Sequence, residues 1–243
     1  MEFDGQVALV TGSTLGIGRE TARLLALGGA TVIVTGRDAA RGAETVAAIE
    51  ADGGRAKFVA ADLADLGSVR ALAEASGEVD VLVNNAGVFP FAPTVEQDVE
   101  GFQRLFDVNV RAPFFLTAAL VPGMVARGRG SVVNVSTSAT GFALPGGAAY
   151  SATKAALESL TRTWAVEFGG SGVRFNSIAP GATQTEGALA LAADSVAEVG
   201  RKSPLGRAAT AREIAEAIVF LASPRASYVH GELLQADGGR TIG

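Results

Sequence analysis

Short apolar runs rich in Val, Ile and Thr alternate along the chain with longer stretches in which Ala and Leu recur at helical spacing. The first kind reads as strands near Val7–Thr11, Thr31–Thr35, Ala56–Ala61, Val79–Val83, Ser131–Ser136, Val173–Ile178 and Leu233–Ala236. The second reads as helices near Gly16–Leu27, Ala40–Ala51, Ser68–Ser76, Val95–Arg127, Ala149–Phe168 and Arg212–Ala222. Strand and helix in strict alternation are the mark of βα units wound around a parallel sheet. Val7, Ala8, Leu9 and Val10 follow one another without a polar residue, as expected of a central strand covered on both faces. The predicted fold is α/β, one Rossmann domain over residues 1–243 with a doubly wound, seven-stranded parallel sheet. Residues 182–207 have a weaker pattern of small and polar residues and read as a loop-and-helix lid over the substrate site.

Composition narrows the chemistry. The 243 residues suit one α/β domain. With no Cys, disulfides, thiolate metal sites and cysteine nucleophiles are excluded, and the single His230 cannot form a two-histidine metal site. No metal site is expected. A net charge of −5, scattered rather than in blocks, offers no footprint for nucleic acid. Met1-Glu2-Phe3-Asp4 has no basic leader, and no uninterrupted apolar run reaches about 18 residues. A soluble, cytoplasmic protein is expected, and acid–base work falls to Tyr, Lys or carboxylates.

The first strand leads into Thr11-Gly12-Ser13-Thr14-Leu15-Gly16-Ile17-Gly18 and then a helix. In that setting backbone N–H groups and the positive end of the helix dipole face a pyrophosphate. Gly12 permits the tight turn, while Gly16 and Gly18 allow close approach. The second strand ends in Thr35-Gly36-Arg37, with no carboxylate before Asp38 and a guanidinium at Arg37. An Arg there suits a 2′-phosphate where an acid would bind a ribose hydroxyl, so NADP is expected over NAD, which stays open.

The chain has only two Tyr and three Lys, yet Tyr150 and Lys154 stand at i and i+4 of a predicted helix. Both side chains then leave one face, about 6 Å apart along the axis. A cation near a phenol favours the phenolate, so Lys154 is expected to lower the Tyr150 pKa and make it a general acid and base.

These motifs appear in order with Asp62-Leu63, Asn84-Asn85-Ala86-Gly87, Asn109, Tyr150-Ser151-Ala152-Thr153-Lys154, Pro180-Gly181 and Asp237-Gly238-Gly239. Together they resemble the short-chain dehydrogenase/reductase family over essentially the whole length. The resemblance implies hydride transfer between a nicotinamide and a ketone or secondary alcohol. It implies adenine contacts from Asp62 and Leu63, and a cofactor wall from Asn85, Ala86 and Gly87. Lys154 would also hold the nicotinamide ribose. Asn109 would hold a helix kink and a water that relays protons to Lys154. Pro180, Gly181, Thr183 and Thr185 would contact the carboxamide or the pyrophosphate.

The family's catalytic Ser, 13 residues before the Tyr, is replaced by Thr137. Thr keeps the hydroxyl but adds a methyl that narrows the pocket, and Ser138 is the other candidate. Leu15 stands where members using the phosphorylated cofactor often carry a basic residue, which pulls against NADP. Thr183 replaces the usual Ile or Val.

Phe89, Pro90, Phe91, Ala143, Leu144, Leu189 and Leu191 could line an apolar pocket, pointing to a ketone or alcohol with hydrophobic bulk. The chain is similar to 3-oxoacyl-carrier reductases and to secondary alcohol dehydrogenases about equally. Arg127 and Arg129 are candidates for carrier docking. The resemblance further implies a homotetramer, with Trp164 and Phe168 in the core or at an interface. The alternative is a non-catalytic dinucleotide sensor or scaffold on the same fold.

Overall fold

The structure, a computed structural model, describes residues 1–242 apart from the side chains of Leu191 and Ala192. Strands β1 (Val7–Val10), β2 (Thr31–Gly36), β3 (Arg55–Ala60), β4 (Val81–Asn84), β5 (Gly130–Val135) and β6 (Val173–Pro180) alternate with helices. The helices between them are α1 (Gly16–Leu27), α2 (Ala39–Ala51), α3 (Leu66–Ser76), α4 (Val99–Phe106), α5 (Ala112–Ala126) and α6 (Ala148–Phe168). Beyond β6 come β7 (Thr183–Gln184), α7 (Glu186–Arg201), β8 (Ala209–Thr210), α8 (Ala211–Ala222) and β9 (Leu233–Ala236). Seven strands form one parallel sheet in the order β3-β2-β1-β4-β5-β6-β9. The predicted fold is the observed one.

The unbroken apolar run of β1 is explained by the two layers it separates. Ala8 and Val10 point into a core with Ala22 and Leu25 of α1, Ile49 of α2 and Ile214 and Ile218 of α8. Leu9 points the other way, toward Leu72 of α3, Leu116 of α5 and Trp164 of α6. Strand order reverses between β1 and β4, the switch point where open α/β sheets bind ligands.

A buried polar ladder locks α6 onto this sheet. Asn84 of β4 donates to Asn134 of β5 (2.8 Å), Asn134 donates to Thr161 of α6 (2.7 Å), and Thr161 pairs with Ser177 of β6 (2.7 Å). Groups this deep are costly unless paired, so the ladder sets where α6 sits.

The long helix expected over Val95–Arg127 is interrupted. A short 3-10 turn (Thr94–Glu96) precedes α4, and a π-turn over Asp107–Arg111 joins α4 to α5. Pro113 is the reason: lacking an N–H, it cannot donate to the Asn109 carbonyl four residues back, and the Ala112 amide bonds to Asp107 instead. The joined segment Val99–Ala126 is long and apolar enough to cross a membrane, which counting uninterrupted runs misses. Half of its most apolar stretch is buried in the protein, as in a core helix.

Residues 182–207 hold a four-turn helix, α7, with more order than their pattern suggests. β7 and β8 pair in parallel, Thr183 beside Ala209, so both ends of the excursion are clipped together.

Candidate active site

The site is assembled at the carboxyl ends of β1, β4, β5 and β6. After β1, Gly12 and Gly16 turn with φ of 63° and 55°, where a side chain would be strained. Packing demands glycine too: a Cβ on Gly12 would come within 2.9 Å of Ala86 Cα, and one on Gly18 within 2.4 Å of the Gly12 carbonyl. The turn is fastened from β4. The Asn85 amide side chain donates to the Thr11 carbonyl at 2.8 Å, and the Asn85 and Ala86 backbone amides both donate to the Thr11 hydroxyl at 3.0 Å.

A dinucleotide's anionic centre fits the entrance to α1. This helix has no side-chain N-cap, and its Gly16 amide donates to the Glu186 carboxylate at 3.0 Å. An anionic oxygen therefore already sits on an amide of the glycine-rich turn. Ser13, expected among the cofactor contacts, is instead fully buried. Its hydroxyl donates to the Val10 carbonyl (2.7 Å) and accepts from the Thr35 amide (3.0 Å), tying β1 to β2.

The end expected to hold adenosine is open. Thr14 lies against Gly36, where a Cβ would come within 2.9 Å of the Thr14 methyl. Arg37 is exposed and has no ion-pair partner among the described residues. Asp62 is exposed, accepting from the Ala64 amide at 3.0 Å, and Leu63 packs against the core.

The other end is closed and wired. α6 carries Tyr150 and Lys154 on one face, and Lys154, 4% exposed, donates from Nζ to the Val135 carbonyl at 2.8 Å. Burial lowers the Lys154 pKa to about 8, opposed by the negative charge of Glu158. Gly87 leaves room for it, since a Cβ there would lie 3.2 Å from Nζ. Burial also raises the Tyr150 pKa, offset in part by the Thr137 hydroxyl. In the free chain burial outweighs the lowering expected from Lys154, whose ammonium is turned to Val135, and the Thr137 hydroxyl favours the phenolate.

Thr137 follows β5 in extended conformation and is partly exposed, whereas Ser138 is buried. Asn109, fully buried in the π-turn, accepts from the Val88 amide (2.9 Å) and donates to the Val88 carbonyl (2.9 Å) and the Thr153 hydroxyl (3.0 Å). Thr153 lies between Tyr150 and Lys154, so the π-turn is sewn to the helix that carries both.

A family model described as enoyl-(acyl carrier protein) reductase matches residues 12–241. A solved short-chain dehydrogenase/reductase family protein is 55% identical with a TM-score of 0.95, covering 100% of both chains. The chain belongs to the short-chain dehydrogenase/reductase family. It is 42% identical to the cis-4-hydroxycyclohexanecarboxylate dehydrogenase of Sinomonas cyclohexanicum, over 98% of each chain. A gluconate 5-dehydrogenase from Burkholderia cenocepacia, solved in complex with NADP and tartrate, is 33% identical with a TM-score of 0.92, covering 99% of this chain and 96% of its own. The chain is thus a nicotinamide-dependent oxidoreductase of the alcohol–ketone class, and no relative here favours a sensor without catalysis.

In this dehydrogenase the excursion after β6 reaches back to the glycine turn. Pro180 ends β6, and Gly181 packs so closely on the segment after β9 that a Cβ would come within 2.7 Å of Asp237 Cα. Thr183 donates to the Gly181 carbonyl at 2.9 Å. Thr185 caps α7 and lies against Gly16, 3.0 Å from where its Cβ would be.

Phe89 and Phe91 stand edge-on to the Tyr150 ring, with centroids 6.5 and 5.8 Å away. Pro90, Ala143 and Leu189 are exposed and Leu144 is half-buried, while the side chain of Leu191 lies outside the described residues. Trp164 and Phe168 join Phe175 in the core. Arg127 and Arg129 both face the Asp80 carboxylate, at 3.5 and 3.4 Å, and Arg127 also donates to the Val79 carbonyl. His230 spends both ring nitrogens on backbone, accepting from the Phe175 amide and pairing with the Ala165 carbonyl.

Two carboxylates were missed from the sequence. Glu186 lies one residue beyond the Pro180 to Thr185 stretch, and Glu158 continues the i, i+4 spacing of Tyr150 and Lys154 by one more step. That second step was the available signal.

Proposed function

We propose that this chain interconverts a secondary alcohol and a ketone of apolar, ring-sized bulk, with NADP preferred over NAD. The observation that carries this reading is the Tyr150 ring, one helical turn from Lys154 on α6 and flanked edge-on by the exposed rings of Phe89 and Phe91. The Thr137 hydroxyl favours the phenolate form of Tyr150, and the two aromatic rings give that end of the site apolar walls.

Gly12, Gly16, Ile17 and Gly18 would hold the pyrophosphate, with Thr185 closing over it. Asn85, Ala86 and Gly87 would form the wall, and Pro180, Gly181 and Thr183 would face the carboxamide. Thr14, Leu15 and Arg37 would surround the 2′-phosphate, and Asp62 and Leu63 the adenine. The bound nicotinamide supplies or accepts the hydride. In reduction, Thr137 donates a hydrogen bond to the carbonyl oxygen and Tyr150 transfers its phenolic proton to that oxygen as the carbon gains hydride. Lys154 and Asn109 hold the helix face that presents Tyr150. Because burial keeps the phenol protonated, the free chain is set for reduction, and oxidation gains as pH rises toward the Tyr150 pKa.

The 42% identical cyclohexane relative supports a cyclic alcohol, and the open Arg37 supports NADP. Arg127 and Arg129, held by Asp80, do not favour carrier docking. Residues 182–207 would act as the lid. Exposed Phe102, Phe114, Phe115 and Val166 on α4, α5 and α6 support a homotetramer.

The test is oxidation of NADPH with a panel of cyclic and linear ketones, repeated with NADH. At least one ketone is turned over, and Tyr150→Phe lowers kcat by about 10²–10⁴. Retention of most activity by Tyr150→Phe on the preferred ketone rejects the scheme.

A further inference from the structure

Glu158 is 8% exposed, one turn beyond Lys154 on the face of α6 that covers the end of β5. Its Oε1 accepts from the Ser136 hydroxyl and lies 2.8 Å from the Thr140 hydroxyl, which shares its one proton with the Thr137 carbonyl at 2.9 Å. One carboxylate oxygen thereby grips the chain on both sides of Thr137. One residue before Ser136, the Val135 carbonyl accepts from Lys154. Two charged side chains a turn apart thus stitch the Val135 to Thr140 segment to the helix bearing Tyr150.

A carboxylate is an unusual way to hold two hydroxyls, because burying its charge is unfavourable unless a cation stands nearby. Lys154 stands one turn earlier on α6 with its ammonium on the Val135 carbonyl, and burial pulls it toward the neutral amine. The groups facing Lys154 from the other elements are the Val135 carbonyl of β5, Gly87 after β4 and the Asn109 amide of the π-turn. None of them titrates. On its own helix Tyr150 is a neutral phenol in the free chain, which leaves Glu158 as the negative charge that favours the ammonium.

We propose that Glu158 is a positioning residue for the reaction: it fixes the Thr137 segment against Tyr150 and sets its carboxylate one helical turn from Lys154. The role rests on the reading of Thr137, Tyr150 and Lys154 given above, yet both halves can be measured without turnover. Glu158→Gln keeps an oxygen acceptor for the two hydroxyls and removes the charge. Glu158→Leu removes both.

With only three lysines in the chain, ¹³C-labelled lysine gives resonances that can be titrated individually and assigned with Lys57→Arg and Lys202→Arg. The Lys154 midpoint is expected near 8 in the parent and about one pH unit lower in Glu158→Gln, because losing the neighbouring negative charge eases proton release. Hydrogen exchange over residues 136–142 is expected to match the parent in Glu158→Gln and to rise at least tenfold in Glu158→Leu. An unshifted Lys154 midpoint in Glu158→Gln, or equal exchange in parent and Glu158→Leu, overturns the proposal. Should Glu158→Leu fail to fold, exchange in Glu158→Ser, which also removes the reaching carboxylate, decides the second half. Ketone reduction by the same proteins is a separate readout: loss of the Tyr150 scheme would appear there while the midpoint and exchange results still decide on Glu158.

Discussion

The two ends of the groove are built on different principles. At the end bearing Tyr150, the surrounding polar groups are already satisfied by the protein: Lys154 on Val135, Asn109 on Val88 and Thr153, Glu158 on Ser136 and Thr140. At the end bearing Arg37 and Asp62, side chains stand exposed, and among the described residues Arg37 has no ion-pair partner while the Asp62 carboxylate accepts only from the nearby Ala64 amide. The difference separates chemistry from choice of ligand. Groups that stabilise a transition state gain most when their orientation costs nothing at the moment of reaction. Groups that read a cofactor's outer end stay solvated until it arrives, and can change without disturbing the catalytic core.

Substitutions at the two ends should therefore differ in kind, and the largest effect belongs to the wired end. Thr137→Val, which keeps shape and loses the hydroxyl, is expected to lower kcat by about 10²-fold, the scale of one lost donor to a developing oxyanion. Ser138→Ala, at a buried position, should stay near the parent. Steady-state kinetics on one ketone would break the comparison if the order were reversed.

At the open end, Arg37→Ala is expected to weaken NADP about tenfold and leave NAD unchanged, the loss of one charge-assisted contact. Fluorescence titration with both reduced cofactors checks this, and equal weakening of the two would show that Arg37 does not read the phosphate.

The smallest effect is expected where the ends meet. Glu186 occupies the Gly16 amide and pairs with Arg19, with both side chains well exposed, so Glu186→Gln should change stability by less than about 1 kcal/mol. Cofactor affinity should move only a few-fold, upward if the carboxylate competes with the pyrophosphate. A tenfold fall in affinity would mean instead that Glu186 helps the lid hold the ligand.

The sheet was legible because its signals are local. Val7 to Val10 declare burial on both faces by lacking polar residues, and the glycines after them can be placed by the strand before and the helix after. Tyr150 and Lys154 were visible because four residues along a helix always share a face. Ser13 misled for the opposite reason: it sits inside the motif, yet its hydroxyl turns inward to bridge β1 and β2. The break at Asp107–Arg111 was written in Pro113, but a proline near a helix start can equally mark a first turn, so only the observed i to i−5 bond decides.

By itself, then, the sequence determined the order of βα units, the glycine-rich turn between β1 and α1 and the Tyr–Lys spacing, since each depends on neighbours within about one turn or one strand. Tertiary structure decided which way the ammonium of Lys154 points, that Ser138 is buried while Thr137 is partly exposed, and that Glu158 reaches Ser136 and Thr140 and Glu186 reaches the Gly16 amide. Those outcomes depend on contacts between residues up to 170 positions apart, as between Gly16 and Glu186. Desolvation is likewise a property of the packed whole: the same Tyr150 and Lys154 that spacing alone would couple are moved by burial in opposite directions.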